Sequence, residues 1–408
     1  SKKLFAWLAN EKAQRWLPSL AIFAIALVLK LLFAFSVRDN PFVTNPILDG
    51  QENIRVARMI LTSGLLQDDA FFIAPLYPYL LAAYYAIFGF HSFGMVIIQS
   101  VVGAAHVAII FLLAQAVFQN RRIAYAAALL TLGCGVYYFY EDLMLKETWS
   151  VFIYDLALLL FVLSWKKPGT GKFFLVGLLW GVSGLLRENL LMSVPLVGLW
   201  FLYAIGQKQL KAVMAIAWLV GVVVGVAPAT IHNALVAKDF VPISYQGGTV
   251  FFVGNHKGAT GLPQPLIPGR SNPELERQDA KMIAEKSEGR TLKPHEIFAF
   301  WTAQAMDYIV NNPVDWVKLM GHKFRLFHSN WEIPDTIDYH FFREQSGALR
   351  LMLVPFWLIF SLAVVGIVAS LKHWKEYLLL YILMVSAVFS VVLCFVVSRY
   401  RLPAVTYY

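Results

Sequence analysis

The chain has 408 residues, 59% of them hydrophobic, 15% aromatic and only 14% charged, and its mean hydropathy of +0.61 excludes an ordinary soluble domain. The formal charge of +9 would favour an anionic partner such as nucleic acid if the basic residues formed one patch, but they are scattered over turns between apolar runs, which weakens that reading. Only Cys134 and Cys394 occur, both within apolar runs, so neither a disulfide framework nor a thiolate metal site is expected.

The opening SKKLFAWLANEKAQRW is basic and amphipathic, and reads as a cytoplasmic interfacial helix over residues 1–16. Apolar runs that cross or nearly cross a bilayer core of about 30 Å follow at Leu17–Val37, Phe93–Phe118, Ile123–Phe139, Thr148–Trp165, Phe173–Leu186, Leu190–Ile205, Ala212–Ile231, Leu351–Leu371 and Tyr377–Val397. A further span starts at Leu402. With the N-terminus inside, the inner turns are Arg121-Arg122, Lys166-Lys167-Lys172, Lys208-Lys211 and Lys372-Lys375, nearly free of acid, as the positive-inside rule requires. The fold class is therefore an all-α polytopic membrane protein of about ten transmembrane helices. It divides into a transmembrane module over 17–231, an extracytoplasmic domain over 232–350 and C-terminal transmembrane helices over 351–408.

Two outward regions are more than loops. Between Arg38 and His91, IRVARMILTSGLL and PLYPYLLAAYYAIFGF are too short and interrupted for spans and read as interfacial helices. In the domain after His232, FVPISYQGGTVFFVGNHKGATGLPQP predicts loops and short strands, hence a mixed outer domain. Within it, the glycines of Gln246–Gly261 suggest a mobile lid or a rigid turn-rich roof. Helices are expected near Pro273–Glu288, Pro294–Val310 and Pro313–Phe327, the last with Asn312 as N-cap.

Charged residues cluster at the outer ends of the spans. In PILDGQENIRVARMILTSGLL, Asp49 as N-cap with Glu52 three residues on would form a capping box; alternatively Asp49 is catalytic and Arg55 and Arg58 share one flank as anion ligands. YYFYEDLMLKETW brings Glu141, Asp142, Lys146 and Glu147 to the same membrane face. In SGLLRENLLMSVP, short flanking runs sink Arg187 and Asn189 below the headgroups, where the arginine meets an anion. SRYRLP places Arg399 and Arg401 around Tyr400, a pair suited to a phosphate. Lys30 and Asp155 are the ionisable residues deepest in apolar spans, at matching depths, and are expected to pair. His232, His256 and His328 are unclustered, so a histidine metal site is not expected.

Carboxylates and guanidiniums on one face suit attack of a hydroxyl on a sugar whose leaving group is a lipid phosphate. In their order, LDGQENIRVARMILTSGLL, APLYPYLLAAYYAIFG, YFYEDLMLKET, GLLREN and SRYRLP resemble the polyprenyl-phosphate-sugar-dependent membrane glycosyltransferases of the GT-C fold, which include protein O-mannosyltransferases and the lipid A aminoarabinose transferase. The resemblance runs from about Leu17 to Pro403 and implies a family 39-like, inverting enzyme in a bacterial inner membrane with its active site on the extracytoplasmic side. It implies Asp49 as base and Glu141 and Asp142 as catalytic acids. Arg55, Arg58, Lys146, Arg187, Arg399 and Arg401 become donor-phosphate ligands, and Glu52, Tyr77, Asn189 and Tyr400 substrate contacts. The implied partners are a polyprenyl-phosphate-linked sugar, an acceptor hydroxyl on protein, lipid or glycan, and membrane lipids, with a divalent cation as an open possibility. Ile73 and Ala74 stand where the aminoarabinose transferases carry Glu-Lys. A transporter or flippase of lipid-linked solutes, or a subunit of an envelope complex, are the alternative readings.

Overall fold

The computed structural model describes residues 11–408; residues 1–10, most of the expected N-terminal interfacial helix, lie outside the described part. The elements used below are α1 Glu11–Ser36, α2 Asp49–Ser63, α3 Leu76–Phe88, α4 Ser92–Phe118, α5 Arg121–Gly133, α6 Gly135–Glu141, α7 Glu147–Lys166, α8 Thr170–Gly184, α9 Ser193–Gly206, α10 Ala212–Val236, α11 Gln246–Gly254, α12 Pro273–Glu288, α13 Pro294–Asn311, α14 Pro313–Phe327, α15 Tyr339–Gln345, α16 Phe356–Ser370, α17 Leu378–Val392 and α18 Ser398–Val405. Among the described residues six helices are long and apolar enough to cross a membrane, or seven if α5 and α6, bent by 55°, form one broken span. α17 is apolar but shorter, and α8 has 15 residues, so six or seven of the ten expected runs reach crossing length as helices.

The break between α5 and α6 falls at Cys134, whose backbone is extended. Gly135 is closely covered there: a Cβ on it would lie 2.6 Å from the Tyr339 hydroxyl. α2 and α3 occupy the first outer region as expected. The outer domain is helical rather than mixed, with no strand among the described residues. Gly247 and Gly248, read from sequence as turn residues, lie inside α11, where a Cβ on Gly248 would come within 2.3 Å of the Phe298 carbonyl oxygen. Close helix packing, not turn formation, explains them. The Gln246–Gly261 stretch is thus largely a packed roof, with left-handed glycines only at Gly258 and Gly261.

α12, α13 and α14 match their predicted starts because each has proline in its first turn. Asn272 caps α12 by accepting from the Leu275 amide at 2.8 Å, and Gly289 ends it in the left-handed conformation. Asn312 holds the N-cap position of α14 as expected but makes no side-chain cap bond; its amide donates backwards to the Tyr308 carbonyl at 3.1 Å.

Inside the bundle the expected Lys30–Asp155 pair does not form. Lys30 Nζ instead donates to both carboxylate oxygens of Glu141, at 2.6 and 2.8 Å, and lies 4.1 Å from the centre of the Tyr138 ring. Asp155 binds His106 Nε2 at 2.8 Å and accepts from the Thr406 hydroxyl at 2.9 Å. Depth alone could not separate these partners. The deciding feature is α4, which packs on both α1 and α7 and offers the Glu141 carboxylate a recess at Gly103, where a Cβ would stand 2.1 Å from the oxygen.

The tightest contact between spans joins α8 and α10 through two paired small-residue motifs. A Cβ on Gly177 would fall 1.9 Å from the Trp218 carbonyl oxygen, on Gly181 2.3 Å from that of Val222, on Gly221 2.2 Å from that of Phe174 and on Gly225 2.5 Å from that of Leu178. Only backbones without side chains approach so closely. Gly181→Val should therefore force the helices apart and lower stability by at least about 1–3 kcal/mol. Thermal unfolding in detergent checks this, with Gly198→Val, at a glycine with open space around it, as the comparison that should leave the transition nearly unmoved.

Candidate active site

Asp49 opens α2, but not as a cap. The residue at the cap position is Leu48, at φ 48°, and no side-chain cap bond forms. Glu52 does not reach back as a capping box would require; it pairs with Arg55 at 2.6 and 2.7 Å. A leucine at positive φ is a strained conformation, and here it turns the chain so that the Asp49 carboxylate meets the Arg399 guanidinium.

Arg399 is the hub. It forms ion pairs with Asp49 and with Asp335, and its Nη1 lies 4.0 Å from Glu147. Glu147, fully buried at the start of α7, is in turn paired with Arg187, whose side chain is 4% exposed. The Tyr400 ring lies beneath both guanidiniums, 4.7 Å from Arg187 and 5.5 Å from Arg399. Both arginines keep a buried Nε–H with no hydrogen-bond partner. Such orphaned donors are costly unless a ligand meets them. Asp49 and Asp335 remain partly open, with side chains 26% and 21% exposed.

Each member is delivered by its own local device. The buried Gln99 amide donates to the carbonyls of Glu141 and Leu143 at 2.6 and 2.9 Å, and Asn53 of α2 donates to that of Met144 at 3.0 Å, which fixes the turn carrying Lys146 and Glu147. Arg187 follows the end of α8, where Leu76 of α3 donates its amide to the Leu185 carbonyl at 3.0 Å. Asp335 sits on a loop held by Arg401, which pairs with Glu332 at 2.5 Å and donates to the carbonyls of Phe327 and Ser329 at 3.1 and 2.7 Å.

The candidates from sequence therefore separate. Asp49, Lys146, Arg187, Arg399 and Tyr400 converge. Glu141 and Asp142 are buried outside this set of contacts, Glu141 held by Lys30 and Asp142 with one carboxylate oxygen unpartnered. Arg401 turns away to its loop and lies over the Phe356 ring at 3.8 Å. Tyr77 is fully buried and donates to Gln99 at 2.8 Å. Asn189 donates to Ser390 at 3.1 Å, beside the hub. Glu52, Arg55 and Arg58 line a cavity of about 480 Å³ between α2 and α12. Asp335 and Glu276 join the cluster without having been singled out, and Glu147, named with the acidic turn but given no role, joins it too. The acid after proline in NWEIPD and the Glu147 that opens α7 were the available signals.

Electrostatics divide the acids. Burial pushes Asp49 up, but Arg399, helped by Lys146 and Arg187, outweighs it and holds the carboxyl below its usual range. Burial keeps Asp335 above its usual range despite Arg399, with Asp49 and Glu147 adding to the rise. Glu276 on α12 is raised to about 7 by burial and by the charges of Asp49 and Asp335. Asp49 thus stays ionised while its neighbours take up protons first, which suits a proton acceptor. Among the described residues no group of three or more His, Cys, Asp or Glu side chains is arranged to hold a metal ion; Asp49 and Asp335 are bridged by a guanidinium.

Residues 73–232 match the family model for dolichyl-phosphate-mannose-protein mannosyltransferases. The match begins just before α3, ends within α10 and includes Lys146, Glu147 and Arg187, while Asp49, Asp335 and Arg399 lie outside it. With the apolar helices it supports a multi-pass membrane glycosyltransferase served by a polyprenyl-phosphate-mannose type of donor. No curated protein matches the chain.

Arg401→Ala should leave buried Glu332 without its partner and destabilise the protein by about 3–5 kcal/mol. Adding Glu332→Gln should recover part of that loss, a non-additivity that unfolding of the single and double variants would measure.

Proposed function

We propose that the chain transfers a sugar from a polyprenyl-phosphate donor to an acceptor hydroxyl, with inversion at the anomeric carbon, on the extracytoplasmic side of a bacterial inner membrane. The observation that carries the reading is the pair of buried guanidiniums, Arg187 and Arg399, each with an unused Nε–H, beside an ionised and partly open Asp49. The side follows from charge. Gln119, Lys166, Gln207 and Lys375, neighbours of the basic turns, converge at the end of α7 remote from Glu147, roughly 28 Å away at about 1.5 Å per residue, and basic turns face the cytoplasm.

In this mechanism the acceptor oxygen attacks the anomeric carbon as its proton passes to Asp49. The bond from that carbon to the phosphate oxygen breaks, and its electron pair leaves with the polyprenyl phosphate. Arg187, Arg399 and Lys146 bind the leaving phosphate, where charge grows in the transition state, and Asp335 keeps Arg399 oriented. The cavity lined by Glu52, Arg55 and Arg58 also takes in Leu48 and Gln51, which flank Asp49 in sequence, and offers the acceptor an approach; this chemistry suits a protein, lipid or glycan acceptor alike.

Asp49→Asn should lower kcat by about 10²–10⁴-fold, the usual range for loss of a general base, with donor KM changed far less. Asp335→Asn, which loosens Arg399 but leaves the base, should instead act mainly on donor KM. Near-normal turnover of Asp49→Asn on a competent acceptor would contradict the assignment. Lys146 adds a pH dependence. Burial, with Arg187 next, lowers its ammonium to about 8, Glu147 opposing. The charge is present below that value and lost above it, so donor affinity should fall as pH rises through about 8, and Lys146→Arg should flatten the fall, read by equilibrium binding of a polyprenyl phosphate.

A further inference from the structure

A second cavity, of about 550 Å³, lies at the other end of the bundle among the C-terminal ends of α4, α7 and α9 and the start of α17. None of the chemistry above uses it. Its wall is aromatic and aliphatic: Phe161 and Trp165 of α7 and Trp200 of α9 line it, with Trp165 and Trp200 ring centres 4.7 Å apart. Its mouth is polar and basic, carrying Lys166 and Lys375 with one acid, Glu376. Lys166 donates one N–H to the Ala116 carbonyl at 2.9 Å, which fixes the ammonium at the rim and leaves two donors for a ligand. Neither Lys166 nor Lys375 has an ion-pair partner among the described residues, and the Lys375 ammonium lies 5.8 Å from the Trp374 ring centre. Lys167, Lys172, Lys208, Lys211 and Lys372 belong to the same set of basic turns.

A volume in the range of small-molecule sites, an apolar interior and a basic rim at the cytoplasmic ends of spans together define a receptor for an amphiphile with an anionic head. We propose that this cavity binds an anionic glycerophospholipid of the inner leaflet, one acyl chain lying against Phe161, Trp165 and Trp200 and the headgroup phosphate held by Lys166 and Lys375. The site is remote from Asp49 and independent of the transfer reaction. Because the lipid would join α4, α7, α9 and α17, and α7 begins at Glu147 of the catalytic cluster, its binding should also stiffen the bundle.

The test uses the purified full chain in lipid nanodiscs, comparing phosphatidylglycerol with phosphatidylcholine, and reads both the lipid retained after exchange and the unfolding transition. Retention of phosphatidylglycerol over phosphatidylcholine should fall by about tenfold in Lys166→Gln combined with Lys375→Gln. The same variant should unfold like the parent in pure phosphatidylcholine, which separates lost binding from lost folding. Leu158→Trp, which fills the cavity and keeps both lysines, should also abolish the preference, and inorganic phosphate should not substitute for the lipid. The proposal is overturned if the parent shows no preference, if Lys167→Gln combined with Lys172→Gln removes it equally, marking diffuse surface charge, or if the cavity-filling variant retains it.

Discussion

One guanidinium ties the molecule together at one end of the helix bundle. Arg399 stands between Asp49 at the start of α2 and Asp335 from the loop after α14, with Glu147 of α7 and Arg187 after α8 close behind. Residues separated by 350 positions thereby meet at a single side chain. A buried arginine is tolerated only where its charge and its donors are answered. Three acids supply the charge, while the Nε–H groups of Arg399 and Arg187 remain unanswered, and this imbalance turns a structural junction into a candidate anion site.

The junction is held in shape by polar contacts deeper in the bundle. Lys30 on α1 fixes Glu141, Gln99 on α4 fixes the backbone beyond it, and Tyr77 on α3 orients Gln99. The turn that presents Lys146 and Glu147 is therefore supported from three helices at once. Arg401 does the equivalent work on the far side by locking the loop that ends at Asp335. The two arginines of SRYRLP thus have different tasks: Arg399 faces the cluster and Arg401 faces away, as their placing on either side of Tyr400 allows.

Hydropathy made the long spans legible, and proline with its flanking caps made α12, α13 and α14 legible, since both signals are local. Asp49, Arg187 and Arg399 could be proposed because each sits at a span end on one face. What failed depended on partners distant in sequence. Glu141 and Asp142 looked equivalent to Lys146 until α4 supplied a recess at Gly103 that took the Glu141 carboxylate inward. Asp155 matched Lys30 in depth, but His106 on the intervening helix reached it. The glycines of α11 look like turn residues in isolation and act as a contact surface once a second helix is beside them.

The central claim is that Arg187 and Arg399 form a phosphate site within reach of Asp49. An experimental structure of the full chain with a bound polyprenyl phosphate tests it most directly. The account predicts phosphate density above Tyr400, within hydrogen-bond distance of both guanidiniums, with Asp49 facing the open side. Phosphate bound elsewhere, with both guanidiniums untouched by it, would contradict the claim.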